Sequence, residues 1–436
     1  MSPELIGVGA IVLLVIMIAL RVPIAIALIA AGLVGYAGYD SPQRALSMLA
    51  SVPAEMLRGY SLSVVPLFVL MGAVASRSGL SASLYEAARA FSSARGRGSL
   101  ASATIGACAM FGAICGSSIA TAATMTRIAV PEMRKAGYSD RLAAGSVAAG
   151  GTLGILIPPS VILVIYALLV EESVPALFAA AMLPGLILVG FCIVVVKVLV
   201  TIDPSLAAPV GRDMPAGERL KALAGTWRIV LIFGLSLGGI YLGWFSPTEA
   251  AAVGAAAAVV VATLSRTLTW REFAAAVDET VTTSAMLFLV FLGALMFGRF
   301  IALTRVPMVL TDFVTALDLP GEAVIVLVVL FYLVLGCLLD TVAMVLITVP
   351  VLLPLVVSVG YDPVWFGILV VVVAEMGLIT PPVGMNIFVI KAQMPELALS
   401  DMFKGVLPFL AAHAALVTVL VLFPQVTAWL PGLLLG

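Results

Sequence analysis

The chain has 436 residues, of which 63% are hydrophobic and 10% are charged, and its mean hydropathy is +1.23. A water-soluble protein of this composition could not cover its surface with polar groups, so the lipid bilayer is the expected surrounding of most of the chain. The formal net charge of −1 excludes nucleic acid as a main partner. A single histidine, His413, and four cysteines without paired spacing argue against a metal, haem or iron–sulfur cofactor and against a histidine-based catalytic triad. We therefore expect an all-α polytopic membrane protein that is not an enzyme.

Membrane crossings are predicted from apolar runs, because about 20 apolar residues are needed to cross the hydrocarbon core. The first half of the chain has five such runs, at 5–20, 22–39, 61–76, 142–170 and 174–202. A polar segment follows, and we predict a cytoplasmic linker at 203–226. The second half has five more runs, at 227–246, 247–265, 281–299, 363–390 and 405–431.

Two further apolar regions, 99–131 and 322–354, are each interrupted at the centre by polar or helix-breaking residues. The first is interrupted at Cys115 to Ser118 and the second at Leu339 to Thr341. We interpret both as re-entrant hairpins whose tips lie at mid-membrane depth. The runs at 142–170 and 363–390 each contain a Pro-Pro pair, and we expect each to be a broken helix.

The helix-breaking residues of the two halves recur at a constant offset of 223 positions. This offset relates the following pairs: Pro158-Pro159 to Pro381-Pro382, Gly137-Tyr138 to Gly360-Tyr361, Gly154 to Gly377, and Ser117-Ser118 to Asp340-Thr341. Such residues set backbone geometry, so we predict two structural repeats, at 1–202 and 227–436. Five crossings is an odd number, and the second repeat is therefore expected to be inverted relative to the first.

The distribution of basic residues gives an independent prediction of orientation. With the N-terminus outside, only four of the 22 Lys and Arg residues fall on the outer side, and the other 18 fall inside. The four are Arg44, Arg58, Arg299 and Arg305. The positive-inside rule predicts this bias, and both termini are expected to be periplasmic.

Inverted repeats with broken helices are typical of secondary transporters, whose sites lie near the membrane midplane where half-helices end. Ser117 and Asp340 are expected to be N-caps of the second hairpin arms. The Pro-Pro pairs are expected to occupy the first turns of the second half-helices, and Thr380 to cap the last of these. Four helix N-termini directed at one point would favour a carboxylate.

Four segments resemble the large membrane subunit of tripartite ATP-independent periplasmic (TRAP) transporters. These segments are Phe111 to Thr121, Gly151 to Ser160, Gly336 to Thr341, and Glu375 to Asn386. The resemblance implies sodium-coupled symport of a small organic acid across the bacterial inner membrane by an elevator mechanism. It also implies two protein partners, a periplasmic substrate-binding protein and a small four-helix membrane subunit. We expect the small subunit to be a separate chain, since no further helical domain flanks the sequence.

The resemblance also transfers site residues to matching positions. It implies substrate binding or translocation by Ser117, Ser118, Thr121, Pro158, Pro159, Asp340, Thr341, Thr380, Pro381, Pro382 and Asn386. It implies sodium sites near Gly116, Ser117, Gly154, Gly336, Asp340, Gly377, Thr380 and Gly384, where hydroxyl and carbonyl oxygens suit a hard cation. Cys337 to Leu339 depart from the family pattern in being hydrophobic.

Some alternatives remain open. Asp340 is explained as well by helix capping as by ion ligation, and for Glu375 a structural hydrogen bond to a neighbouring helix is the first expectation. A stand-alone sodium/dicarboxylate symporter would share the inverted hairpins but would need no binding protein. A membrane enzyme is disfavoured because no histidine or lysine base lies near Ser117 or Asp340 in the sequence, and a channel because nothing suggests a ring of filter carbonyls.

Overall fold

The computed structural model describes residues 2–92, 96–208 and 216–435. Arg95 and Arg212 of the basic-residue count, and the middle of the predicted linker, lie outside these described residues. Within them the fold is all-helical, and the one β-type contact is an isolated bridge between Tyr138 and Ala207. The predicted fold class, an all-α polytopic protein, is confirmed at this level.

The first half contains ten α-helices in chain order. They are α1 Pro3–Ala19, α2 Ile24–Tyr39, α3 Pro42–Arg58, α4 Val64–Arg77, α5 Leu80–Ser92, α6 Ser99–Cys115, α7 Ser118–Lys135, α8 Asp140–Leu156, α9 Val161–Val170 and α10 Val174–Ile202. The region of the predicted linker contains α11 Ala216–Ala224.

The second half continues with eleven more. They are α12 Trp227–Phe233, α13 Gly239–Tyr241, α14 Pro247–Leu264, α15 Trp270–Leu303, α16 Val306–Ala316, α17 Gly321–Gly336, α18 Thr341–Ser358, α19 Pro363–Gly377, α20 Met385–Gln393, α21 Leu399–Leu422 and α22 Gln425–Leu434. A π-helical turn, Gly234–Gly238, joins α12 to α13.

Helix starts follow local capping chemistry. Side-chain oxygens at the N-cap accept hydrogen bonds from backbone N–H groups of the first turn, which have no partner inside the helix. The capping residues are Ser2, Ser41, Ser117, Ser139, Ser160, Ser173, Ser246, Thr269, Asp340 and Asp362. The expected N-cap roles of Ser117 and Asp340 are confirmed.

Several helix bounds in the two halves differ by the predicted offset. The helices α7 and α18 are related by 223 positions at both ends, and α8 and α19 are related by the same offset at their first residues, Asp140 and Pro363. These bounds are those expected of a repeat. The inverted relation of the halves, and the domain limits, stay predictions.

The helices pack into two groups that exchange partners between the halves. In one group α2 packs on α15, and α4 packs on α14 and α15. In the other, α6 and α7 pack on α8, while α17 and α18 pack on α19. This second group contains both hairpins and both broken helices, and α7 also contacts α20 while α9 contacts α18.

Some element predictions were wrong in their limits. Seven helices of the described residues are long and apolar enough to cross a membrane, or eight if the pair α8 and α9, bent by 42°, is one span. By length alone α18, an arm of the second predicted hairpin, is one of the seven, whereas α1 and α2 are too short. The predicted run at 405–431 is two helices, because Pro424 cannot continue α21.

Ion pairs join residues on the same predicted side. Arg134 contacts Asp140 at 2.6 Å and Glu396 at 3.0 Å, and Arg77 contacts Glu279 at 2.7 Å, all on the predicted inner side. The hydrogen bonds from Arg134 to Asp140 raise the pKa of the guanidinium above its ordinary value. On the predicted outer side Arg299 contacts Glu55.

Candidate functional site

The tip of the first hairpin lies between α6 and α7. Gly116 has φ +62°, a left-handed conformation that a side chain would disfavour, and Ser117 then accepts a hydrogen bond from Ala120 N at 3.3 Å. A Cβ atom at Gly116 would lie 3.7 Å from the carbonyl oxygen of Pro159. The first tip is thus placed against the break of the first broken helix.

The tip of the second hairpin lies between α17 and α18. One carboxylate oxygen of Asp340 accepts hydrogen bonds from Val342 N at 3.1 Å and Ala343 N at 3.2 Å. The Sγ atom of Cys337 lies 3.7 Å from the carbonyl oxygen of Pro381. Each tip therefore contacts the break of the broken helix in its own half.

The breaks differ from the sequence-based expectation in where the second half-helices begin. The helix α9 begins after Ser160 and α20 begins after Gly384, so neither Pro-Pro pair occupies a first helical turn. Ser160 has a capping oxygen that proline lacks, and this places the start after the prolines. The hydroxyl of Thr380 donates to Met376 O at 2.6 Å, back along α19, and does not cap α20.

The two Pro-Pro pairs also differ in exposure. Pro158 and Pro159 are buried, whereas Pro381 and Pro382 are exposed. Both pairs contain a cis peptide bond. The second break is longer than the first, since seven residues separate α19 from α20 and four separate α8 from α9.

Close glycine contacts hold each hairpin on its broken helix. A Cβ atom at Gly154 would lie 2.3 Å from the Cα atom of Gly112, and one at Gly377 would lie 2.6 Å from the Cα atom of Gly336. Any side chain would force these backbones apart. Gly154 and Gly377, both predicted from the offset, therefore occupy equivalent packing positions.

A buried carboxyl group connects the two hairpin arms. Glu375 of α19 is 1% exposed, and its two oxygens accept hydrogen bonds from Ser118 Oγ and from Thr341 Oγ1, the latter at 3.0 Å. Ser118 and Thr341 are the first residues of α7 and α18. The expected hydrogen bond of Glu375 to a neighbouring helix is confirmed, and it is made to both hairpins.

A cavity of about 250 Å³ lies between the hairpin tips and the helices α4 and α15. Of the predicted site residues it is lined by Ser117, Ser118, Asp340 and Thr341. Gly116 also lines it. The remaining predicted site residues are not among the described residues that line this cavity; they are Thr121, Pro158, Pro159, Thr380, Pro381, Pro382 and Asn386.

Three polar lining residues were missed by sequence reasoning. Ser76 comes from the end of α4, and Glu279 and Thr283 come from α15. Arg77 lies next to Ser76 and binds Glu279 through Nε at 3.2 Å and Nη2 at 2.7 Å. The signal was present in the acidic pair Asp278-Glu279, which lies just before the predicted span at 281–299.

Two predicted site residues carry buried oxygens without a hydrogen-bond donor among the described residues. They are Thr121 Oγ1 and Asn386 Oδ1, and both residues are fully buried. Thr121 Oγ1 would lie 3.1 Å from a Cβ atom at Gly112, and Asn386 Nδ2 donates to Ala148 O of α8 at 3.4 Å. Buried oxygens without a donor are uncommon, and each invites a donor, a water or a cation.

Comparison with known proteins identifies the chain by family. Residues 11–426 match the family model of the tripartite ATP-independent periplasmic transporter, DctM component. The C4-dicarboxylate TRAP transporter large permease protein DctM of Pseudomonas aeruginosa is 35% identical over 87% of this chain and 88% of that protein. The sialic acid TRAP transporter large permease protein SiaM of Vibrio cholerae is 33% identical over 88% of this chain and 89% of that protein.

A fused relative and a solved structure complete the comparison. The isethionate TRAP transporter permease protein DctMQ of Oleidesulfovibrio alaskensis is 31% identical over 89% of this chain, which spans 60% of that protein. The crystal structure of the Alcanivorax borkumensis YdaH transporter aligns with a TM-score of 0.60, 17% identity and 90% coverage of both chains, which shows a shared fold. By its match to the family and to these relatives, the chain belongs to the large permease subunits of the TRAP transporters.

Proposed function

We propose that this protein is the transport subunit of a sodium-coupled importer of a small organic anion in a bacterial inner membrane. A periplasmic binding protein delivers the anion, and a separate small membrane subunit completes the assembly. The observation that carries the proposal is the cavity in which both hairpin tips meet α4 and α15. Such a site, built where helices end inside the fold, is typical of secondary transporters.

The substrate class is supported by the relatives and by the electrostatics of the cavity. The relatives' names give C4-dicarboxylates, sialic acid and isethionate, and all of these are small organic anions. Helix N-termini at Ser118 and Thr341 favour an anion, whereas Asp340 and Glu279 line the same cavity with negative charge. Cations that enter with the substrate would offset this charge.

Sodium sites at the two tips are supported by the oxygens that lie there. At the first tip the candidate ligands come from Gly116, Ser117 and Gly154, with the unpartnered Thr121 Oγ1 close to Gly112. At the second tip they come from Gly336, Asp340, Gly377, Thr380 and Gly384. Hydroxyl, carboxylate and carbonyl oxygens are the ligands that a hard cation prefers.

An elevator motion is supported by the division into two helix groups. The group that contains the hairpins and the broken helices carries both tips, and the group that contains α2, α4, α14 and α15 supplies the opposite wall of the cavity. Movement of the first group along the second would carry the tips between the two sides of the membrane.

The test is a thermal unfolding titration of the purified protein with sodium, using potassium and choline at equal ionic strength. A cation that binds only the folded state stabilises it by RT ln(1 + [L]/Kd), about 2.7 kcal/mol at 100 times Kd. We expect saturable stabilisation by sodium alone, weakened in Thr380→Val. Thr418→Val is the matched control, because Thr418 makes the same hydrogen bond to the carbonyl four residues earlier, away from the site.

Equal stabilisation by sodium and potassium would contradict sodium coupling. A second measurement addresses delivery, by uptake into proteoliposomes that contain both membrane subunits, with and without the binding protein. We expect uptake to require the binding protein. Uptake of the same rate without it would favour the stand-alone symporter.

A further inference from the structure

The carboxyl group of Glu375 is the point where the two hairpins share a side chain. Ser118 and Thr341, its two donors, are 2% and 4% exposed and are related by the repeat offset of 223 positions. Each follows directly after the N-cap residue of its hairpin tip, Ser117 or Asp340. A displacement of either tip would therefore move one donor away from the same carboxyl group.

The arrangement is not duplicated in the other half. The position that corresponds to Glu375 is Thr152 of α8, whose hydroxyl contacts His413 Nε2 at 2.9 Å. Thr152 and His413 are fully buried, and His413 belongs to α21. One acidic side chain in α19 thus serves both hairpins.

The two hydrogen bonds depend on each other for a physical reason. A buried carboxyl group that loses one of two donors keeps a desolvated oxygen without a partner, which is costly in a medium of low dielectric constant. The remaining donor then holds a group whose position is no longer fixed from two sides. Release of one tip would weaken the hold on the other.

We propose that Glu375 is a positioning residue that couples the two hairpin tips, so that opening of one tip promotes opening of the other. A consequence for ion binding rests on the sodium sites of the proposed function. Cations at the two tips would then bind cooperatively and not independently.

The chain carries its own reporters for this test. Cys115 and Cys337 are partly exposed and lie at the end of α6 and directly after α17, one at each tip, whereas Cys108 and Cys192 are buried. Cys337→Ser leaves a reporter at the first tip, and Cys115→Ser leaves one at the second. The rate of modification by a hydrophilic maleimide then measures the opening of a single tip.

The decisive variants change one tip and are measured at the other. Thr341→Val removes the donor at the second hairpin, and we expect modification of Cys115 to become about three- to tenfold faster. Ser118→Ala should accelerate modification of Cys337 to a similar extent. Thr341→Ser, which keeps the hydroxyl, should restore the parent rate and shows that the change is not a failure to fold.

Matched controls remove buried hydroxyls that do not contact Glu375. Thr348 lies on the same helix as Thr341 and bonds to Tyr332 OH at 2.6 Å, and Ser146 of α8 bonds to Leu142 O at 2.7 Å. Thr348→Val and Ser146→Ala should leave the rate at the opposite tip unchanged. In a Glu375→Gln background, Thr341→Val should add little to the rate at Cys115, because the connection is already broken.

Parent rates at Cys115 in Thr341→Val, and at Cys337 in Ser118→Ala, would overturn the proposal. So would equal acceleration by Thr348→Val, because the effect would then be general loosening. These measurements are made without sodium, so they decide the coupling even if sodium stabilisation is absent and the proposed function fails. Where the parent protein responds to sodium, Thr341→Val should also lower the Hill coefficient of the titration towards 1.

Discussion

At the residue scale, Asp340 combines a structural role with a possible ionic one. Its carboxylate caps α18 through two backbone N–H groups, and the residue also lines the cavity. The capping role was predictable from sequence, because it depends only on the residues next to Asp340. The role in sodium binding stays a prediction and needs a variant that separates the charge from the cap.

Asparagine and alanine separate the two roles of Asp340. Asn caps helices as well as Asp, whereas Ala at an N-cap costs about 1 kcal/mol. We expect Asp340→Ala to lower both stability and sodium response, and Asp340→Asn to keep stability but lose the sodium response. Thermal unfolding with and without sodium measures both.

Asp362 provides the control, since it caps α19 with hydrogen bonds to Val364 N at 2.8 Å and Trp365 N at 3.2 Å. Asp362→Ala should lower stability, and Asp362→Asn should restore it, with an unchanged sodium response in both. A full sodium response in Asp340→Asn would assign Asp340 to capping alone.

Residues whose roles depend on distant contacts were harder to predict. Thr380 was expected to cap α20, but its hydroxyl bonds back to Met376. Either hydrogen bond is compatible with the local sequence, and only the longer break before α20 decides between them. The link from Glu375 to Ser118 spans 257 positions, and no local pattern reports a contact of that range.

At the scale of elements, the glycine contacts set how closely each hairpin packs on its broken helix. The repeat offset predicted that Gly154 and Gly377 are equivalent, because the pattern of glycine and proline is local. It did not predict the partners Gly112 and Gly336, whose positions differ by 224 and so depart from the offset by one residue.

A methyl group at Gly154 should strongly disturb the packing of α6 on α8. The Cβ atom would lie 2.3 Å from the Cα atom of Gly112, and overpacking of this kind costs about 1–3 kcal/mol or more. We therefore expect Gly154→Ala to lower the unfolding temperature and the sodium response. Gly106→Ala on α6 is the control, since nothing lies within 4 Å of its Cβ position; equal loss in both would exclude close packing as the cause.

Helix limits were predicted best where hydropathy and capping agree. The start of α15 was placed eleven residues late, because hydropathy rises only at residue 281. The capping box of Thr269 and Glu272, with hydrogen bonds of 3.2 Å and 2.7 Å, marks the actual start. That signal is local and could have been used.

At the scale of the whole molecule, family membership makes this chain a transport subunit, and its relatives act with a membrane partner and a binding protein. The ion pairs that join α4 to α15 and α3 to α15 connect residues of one predicted side only. They agree with the charge distribution, although the orientation itself stays a prediction.

Cysteine labelling in intact cells measures the orientation. In a background with Cys115 and Cys337 replaced by serine, we expect an impermeant maleimide to modify Gln43→Cys and Gly432→Cys from outside. Lys221→Cys should react only after the membrane is opened. All three positions are exposed, so the reverse pattern would place both termini in the cytoplasm.

The length of α15 has a consequence for the surrounding bilayer. Its 34 residues extend over about 51 Å, whereas a path through a hydrocarbon core of about 30 Å, even at a tilt of about 40°, takes about 39 Å. Roughly eight residues or more must therefore lie outside the hydrocarbon, and Arg271, Glu272, Asp278 and Glu279 are all within the first ten. Because Glu279 lines the cavity, the thickness of the bilayer sets how far this acidic end emerges, and with it how readily water reaches the cavity.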